Sequence, residues 1–144
     1  MIIRKIKDSE LDRTLKLVWE VFLKFEAPDY TKEGIKEFKD SINDPSFIGR
    51  MEIFGAFDGE ELLGVIATRE KNHISLFFVA EKHHKKGIGR ALYNFVCSLN
   101  PDAYFTVNSS PSAKRVYEKF GFVDLSGEQC IKGIRFYRMK NNNI

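Results

Sequence analysis

The chain has 144 residues, of which 43% are hydrophobic and 13% aromatic, and its 23 lysines and arginines against 20 acids leave a net charge of +3. This composition predicts a folded globular domain and excludes a disordered segment, and the charge is too small to indicate a nucleic-acid-binding surface by itself. The two cysteines, Cys97 and Cys130, lack the spacing of a zinc site or a disulfide framework, so we expect buried or half-buried free thiols in a cytoplasmic protein.

The first third of the chain predicts one strand and two helices. Residues 2–7 suit a short strand, and with no long apolar run near the start we expect neither a signal peptide nor a membrane span. An amphipathic helix then ends near Pro28, and a second helix runs from about Thr31 to Ile42. The apolar positions of the first helix recur at helical spacing: Leu11, Leu15, Val18, Trp19 and Phe22. Segment 26–44 holds six acids and three lysines, which predicts a solvated helix face.

The next third changes to strand patterns. Residues 51–70 suit two strands joined at Asp58-Gly59, a favoured hairpin turn. Residues 73–80, "HISLFFVA", are almost wholly apolar and predict a strand buried on both faces. A helix from Gly87 to about Leu99 and a strand at 103–108 follow, and this order predicts a right-handed parallel crossover.

Residues typical of helix starts and helix ends mark the last third of the chain. Ser110 suits an N-cap with Pro111 in the first turn, and Gly121 suits a left-handed C-terminal cap. Two last strands, "FVDL" and "GIRFYRMK", complete the pattern. The whole predicts one mixed α/β sheet with helices on its faces.

The stretch "EKHHKKGIGRALYNFV", residues 81–96, suits an anion. A strand ends before it and a helix begins at Gly87, so the backbone N–H groups near 85–90 lie at a helix N-terminus, which favours negative charge. Gly87 and Gly89 allow a ligand to approach the backbone closely, and Lys85 and Lys86 add positive charge at the rim. These features predict a phosphate or pyrophosphate site.

Other interpretations of this stretch are weaker. It lacks the third glycine of a dinucleotide fingerprint, because position 92 is Leu, and it lacks the Gly-Lys-Ser/Thr of a Walker loop. His83 and His84 have no third ligand at useful spacing, so we expect no metal. A nucleic-acid patch would need interleaved aromatics, which are absent here. A Gly-x-Gly alone also occurs in ordinary loops.

Two stretches, "SLFFVAEKHHKKGIGRALYNFV" and "TVNSSPSAKRVYEKFGFV", together resemble the GNAT superfamily of acetyl-CoA-dependent N-acetyltransferases. The first is similar to that family's strand, Arg/Gln-x-x-Gly-x-Gly/Ala loop and helix, and the second to its "YEKxGF" element. The resemblance covers essentially the whole chain and is strongest from 74 to 123. His84 stands at the Arg/Gln position, and Ser110 stands where Asn is common, with Asn108 nearby.

The resemblance implies a GNAT-like fold and activity. The fold class is α/β (α+β), with a single mixed, mostly antiparallel sheet of about six to seven strands and about four helices on its faces, in one domain over 1–144. The acyl donor is acetyl-CoA, with no metal, and the acceptor is a primary amine of a small molecule or peptide. Neither nucleic acid nor membrane is an implied partner, and a homodimer is left open.

The resemblance also implies the site. The strand 73–80 pairs with the pantetheine arm of CoA, the N–H groups from Lys85 to Arg90 hold the pyrophosphate, and a strand-end N–H near Val79 stabilises the oxyanion. The implied cofactor-binding residues are Phe78, Val79, His84, Lys85, Lys86, Gly87, Ile88, Gly89, Arg90, Asn108 and Ser110. Tyr117 is the implied general acid, since a phenol of pKa about 10 keeps its proton at neutral pH and can donate it to the CoA thiolate.

Several alternatives stay open. Tyr117 also suits a core aromatic. No carboxylate lies in the strand 73–80, so a general base is sought in Glu70, His73 or Ser75, in a water chain, or in no dedicated group; His73 also suits a surface position beside a turn. The acceptor groove is implicated only loosely, through Trp19, Phe22, Phe25, Tyr30, Phe38, Phe136 and Tyr137. The alternative function is a non-catalytic module that binds CoA or another phosphate ligand.

Overall fold

A computed structural model describes residues 1–141, so the last three residues of the predicted domain, at the end of the tail "NNNI", lie outside the described residues. The helices are α1 Leu11–Phe25, α2 Lys32–Ile42, α3 Pro45–Gly49, α4 Ile88–Leu99 and α5 Lys114–Lys119. The strands are β1 Ile2–Lys5, β2 Met51–Asp58, β3 Glu61–Arg69, β4 His73–Val79, β5 Phe105–Ser109, β6 Val123–Ile131 and β7 Ile134–Asn141. In this part of the chain no helix is both long enough and apolar enough to cross a bilayer.

One mixed sheet contains the seven strands, in the order β1-β2-β3-β4-β5-β7-β6. Only β4 and β5 pair in parallel among the described strands, and the other neighbours are antiparallel. The mixed, mostly antiparallel sheet and the crossover through α4 are therefore confirmed. The short helix α3 was not predicted, because five residues give too little periodicity; Asp44 Oδ1 caps it by accepting the Ser46 N–H at 2.9 Å.

Two apolar clusters cover the two faces of the sheet. One contains Val18 and Phe22 of α1 against Phe78, and the other contains Leu92 and Val96 of α4. The prediction that β4 is buried on both faces is wrong, because buried and half-buried residues alternate along it. Its half-buried residues line or adjoin an open cavity, described below.

The predicted caps of the second half are confirmed. Ser110 Oγ accepts the Ala113 N–H at 3.2 Å, and Gly121 has a left-handed φ of +93°. Neither cysteine forms a disulfide. Cys130 is exposed, contrary to the expectation of a buried or half-buried thiol, because β6 is an edge strand whose residues are nearly all exposed.

Candidate active site

The parallel strands β4 and β5 separate soon after they meet. They pair only at His73–Thr106 and Ile74–Val107, whereas β3 stays paired with β4 as far as Val79. The β5-facing edge of β4 is thus unpaired beyond residue 74. A sheet that splits in this way leaves backbone groups available to an added extended ligand.

The direction of these backbone groups follows from two hydrogen bonds. The Ala80 N–H donates to the Leu63 carbonyl of β3 at 2.9 Å. Because backbone groups alternate in direction along a strand, those of Val79 point away from β3, into the split. The Val79 carbonyl indeed meets the His84 ring on that side, at 2.7 Å from Nε2.

The split opens on a cavity of about 290 Å³. Aromatic rings make up much of its wall: Tyr30, Phe38, Phe47, Phe77, Phe78 and Tyr117. Its other charged or titratable side chains are those of Glu26, Glu37, Arg69 and His73. Asn108 and Ser110, predicted from the sequence, also line it. The cavity therefore joins an apolar wall to a few ionisable groups, as substrate sites commonly do.

The loop before α4 keeps its backbone donors available. Gly87 has a left-handed φ of +81° and immediately precedes the helix, and Lys85 is also left-handed at +63°. The first N–H bonded within this helix is that of Ala91, to Gly87 O at 3.0 Å. Within residues 1–141 the N–H groups of 85–90 have no backbone acceptor. A concave set of free N–H groups at a helix N-terminus suits an anion.

Side chains of this loop point in different directions. Lys85, Lys86 and Arg90 are exposed, whereas the Ile88 side chain belongs to the core, so that Ile88 offers only its backbone. Gly89 lies over β4: a Cβ there would be 3.6 Å from the Phe77 ring. The loop and the unpaired edge of β4 are consequently adjacent.

The two histidines of the loop are both bound to protein groups. His84 holds the loop to β4 through Val79 O, and its ring lies 5.0 Å from the Phe25 ring. His83 Nε2 lies 3.1 Å from Glu61 Oε2. No group of three or more metal-ligating side chains occurs among the described residues. His84 thus positions the loop through its side chain.

Tyr117 lies at the inner wall of the cavity and is only 6% exposed. Its ring makes edge contacts with Phe77 at 6.0 Å and Phe122 at 5.4 Å. Burial, and then the charge of Glu26, raise the pKa of the Tyr117 phenol above its ordinary value. The side chain is both a core aromatic and part of the cavity wall, so the two sequence interpretations are compatible.

The base candidates taken from the sequence are poorly suited. His73 is half-buried, so the surface position is wrong, and burial followed by the charge of Arg69 lowers its pKa to about 4. Its Nδ1 lies 2.8 Å from Thr106 Oγ1. Ser75 Oγ is buried and lacks a hydrogen-bond partner among the described residues, but an unassisted hydroxyl is not a base at neutral pH. Glu70 does not line the cavity.

Glu26 was missed as a site residue. The expectation of a solvated face over 26–44 is wrong here, because Glu26 lines the cavity and is only partly exposed. Burial raises the pKa of its carboxyl to about 7, opposed by a hydrogen bond from Ser110 and assisted by the charge of Asp29. A signal existed in the sequence: Glu26 continues the i, i+4 row of the buried residues Thr14, Val18 and Phe22.

Comparison with known proteins identifies the family. The model of the acetyltransferase (GNAT) domain matches residues 26–142. The chain therefore belongs to the GNAT acetyltransferase family, a family of N-acetyltransferases. The predicted family, fold class and enzyme class are thereby confirmed.

Solved structures share the fold. The GCN5-related N-acetyltransferase (aminotransferase, class-II) from Rhodopseudomonas palustris is 16% identical with a TM-score of 0.84, over 98% of this chain and 94% of that one. The PaiA N-acetyltransferase from Thermoplasma acidophilum, in complex with coenzyme A, is 17% identical with a TM-score of 0.71, over 98% of both chains. An aminoglycoside 6'-N-acetyltransferase complexed with coenzyme A is 14% identical with a TM-score of 0.66, over 100% of this chain and 98% of that one. At these identities the likeness concerns the fold.

Proposed function

We propose that this protein transfers the acetyl group of acetyl-CoA to a primary amine of a small molecule or peptide, by direct attack of the amine. The observation that carries the proposal is the split between β4 and β5: the loop at 85–90 lies against β4 at Phe77, and Phe77 and Tyr117 line the cavity. Coenzyme A bound to two proteins of the same fold supports the choice of donor.

The donor would be held largely by backbone. The unpaired edge of β4 near Val79 would bind the extended pantetheine arm, whereas Phe78, whose backbone faces β3, would contribute only its side chain at the cavity wall. The N–H groups from Lys85 to Arg90 would bind the pyrophosphate, with lysine side chains at the rim. Asn108 and Ser110, at the end of β5, would form the opposite wall of the split.

Negative charge develops on two atoms during the reaction, the thioester oxygen and then the leaving sulfur, and each charge must be stabilised. The Val79 N–H would donate to the oxyanion that forms when the amine attacks the thioester carbonyl. Tyr117 would donate its proton to the leaving CoA thiolate. Its raised pKa keeps the phenol protonated throughout the neutral range, and a thiolate formed in the same buried position is raised in pKa for the same reason.

Thermal melting with CoA tests the donor site. A ligand that binds only the native state must raise the melting temperature, so we expect a clear upward shift at millimolar CoA. No shift would contradict the proposal. A shift without thiol release from acetyl-CoA, across a panel of primary amines, would favour the non-catalytic binding module. The homodimer stays a prediction, which light scattering of the purified chain tests.

Tyr117→Phe tests the acid. The change keeps the ring contacts with Phe77 and Phe122 but removes the proton donor, so turnover should fall by about 10²-fold or more while the CoA-induced melting shift persists. Tyr93→Phe is the matched control, because Tyr93 is a buried tyrosine whose hydroxyl accepts from Asn141 Nδ2 at 2.7 Å and does not line the cavity. Equal losses in both variants would refute the role of Tyr117.

A further inference from the structure

The C-terminal end of α1 is fixed beside the two parts of the candidate donor site. The Ser112 hydroxyl, just before α5, donates to Phe25 O at 3.0 Å. The Phe25 ring meets the His84 ring at 5.0 Å, and Lys24 Nζ lies 2.6 Å from Glu81 Oε1. The end of this helix is therefore attached to both the loop before α4 and the start of α5.

Glu26 is the residue directly after Phe25, the last residue of α1, and it lines the same cavity as Tyr117. The Glu26 carboxylate charge raises the pKa of the Tyr117 phenol, and it acts on the Tyr30 phenol in the same way. Ser110, whose side chain lowers the pKa of the Glu26 carboxyl, lines the same cavity. A carboxyl group thus lies near the proposed general acid, on the wall formed by α1.

We propose that Glu26 is the general base of the acetyl transfer and takes a proton from the ammonium form of the acceptor. The inference rests on the proposed function. It also assigns the acceptor's amino end to the part of the cavity between α1 and α5, and the aromatic wall would then contact the apolar remainder of the acceptor.

The proton balance closes with the two groups. The acceptor ammonium gives one proton to the Glu26 carboxylate, and the freed nitrogen lone pair attacks the thioester carbonyl carbon. The C–N bond forms, and the C–S bond then breaks with its electron pair leaving on sulfur. Tyr117 gives its proton to that thiolate and regains one from the nitrogen of the intermediate. Glu26 releases its proton to water, so the products are an N-acetyl amine, free CoA and one proton.

The other ionisable groups nearby suit this role less well. Asp29 acts on Glu26 but does not line the cavity, and Tyr30 is held protonated by burial. Of the remaining cavity groups, Arg69 is a cation, His73 is too weak a base, and Glu37 forms an ion pair with Lys132 at 3.7 Å. Glu26 has a pKa near the neutral range, where a general base works best.

The test is the pH dependence of kcat/KM for thiol release, from pH 5.5 to 10, with 2-phenylethylamine as the acceptor because the cavity wall is aromatic. The wild-type enzyme should rise to a plateau above about pH 7, since the base is then ionised while the ammonium is still abundant. Glu26→Gln should lose about 10²-fold or more at pH 7.5, and its kcat/KM should keep climbing toward the pKa of the amine. Glu20→Gln removes the same charge from an exposed position of α1 that does not line the cavity, and it should keep the wild-type profile.

The outcomes are distinguishable. A plateau retained by Glu26→Gln overturns this inference and leaves the proposed function standing. No thiol release by the wild-type enzyme with this amine or the rest of the amine panel overturns the proposed function, and this inference with it. An unchanged CoA-induced melting shift in Glu26→Gln establishes that the variant is folded. If it does not fold, Glu26→Asp, which keeps the carboxylate but shortens its reach, should show a reduced plateau, and an unaltered profile would overturn the inference.

Discussion

Replacing Glu26 by Gln should change how the stability of the protein depends on pH, whatever its acceptor. Burial first, and the charge of Asp29 in addition, raise the carboxyl pKa from 4.5 to about 7 in the folded state. A group whose pKa is raised by folding stabilises the folded state fully below its unfolded pKa, and that stabilisation is lost as the pH rises through the folded pKa. The wild-type free energy of unfolding should therefore fall between about pH 4.5 and 8.

The magnitude follows from the size of the shift. At about 1.4 kcal/mol per pKa unit, the shift corresponds to roughly 3 kcal/mol over the full titration. Between pH 5 and 8 we expect a loss of about 2 kcal/mol, because part of the titration lies below pH 5 and the side chain is partly exposed. The amide side chain of the variant Glu26→Gln cannot ionise. The free energy of unfolding of this variant, relative to that of the wild type, should therefore be about 2 kcal/mol higher at pH 8 than at pH 5.

Urea unfolding of the wild type and Glu26→Gln at pH 5 and pH 8 measures the effect. For each protein the free energy of unfolding at pH 8 is subtracted from that at pH 5. Comparing the two results cancels the contributions of all other titrating groups. Glu20→Gln is the matched control on the same helix: Glu20 is exposed and lies 3.9 Å from Lys16, so its change should be within about 0.5 kcal/mol. If the free energies of unfolding of the wild type and Glu26→Gln differ by the same amount at both pH values, the claim that folding removes this carboxyl from water is refuted.

Two further substitutions probe the surroundings of the cavity. Ser110→Ala removes the hydroxyl that favours the charged form of Glu26, so the acidic limb of the kcat/KM profile should move to higher pH, and an unmoved limb would count against this role. The same change removes the N-cap and should cost about 1 kcal/mol in urea unfolding. Ser110→Thr keeps the hydroxyl and should retain both properties. Gly34→Ala places a Cβ against the Gly133 carbonyl of the β6–β7 turn and should lower the free energy of unfolding by about 1–3 kcal/mol, whereas Gly49→Ala, with no atom within 4 Å of the new Cβ, should change it by less than about 0.5 kcal/mol. Equal effects at the two glycines would show that the turn gives way freely.

Local signals in the sequence predicted the elements well. The cap residues Ser110 and Gly121 were correct because each satisfies helix-end groups through its own side chain or its own φ angle. The loop at 85–90 was likewise predictable, since a strand, two glycines and a helix occur consecutively in the chain. The short helix α3 escaped notice because a single turn leaves no periodic pattern.

The site was predictable only in part. Tyr117, which lines the cavity, was singled out because a motif surrounds it, whereas Glu26, which lines the same cavity, was counted among the acids of a polar segment. The role of His84 was also out of reach, since its partner is a carbonyl at the end of β4 and not a neighbour on its own loop. A pKa shift caused by burial depends on which elements cover a residue, and a pattern along the chain does not contain that information.

The sequence by itself determined the longer helices, the strands, their caps and the glycine-containing loop at 85–90, because these depend on hydrogen bonds and apolar periodicity within a few residues. Only the tertiary structure decided that β4 and β5 part after two residue pairs, and that the end of α1 is fixed beside the opening. The reason is physical: the split and the half-buried carboxylate both arise from contacts between segments tens of residues apart. In that setting Glu26 changes from an ordinary surface acid to a group whose pKa lies near 7.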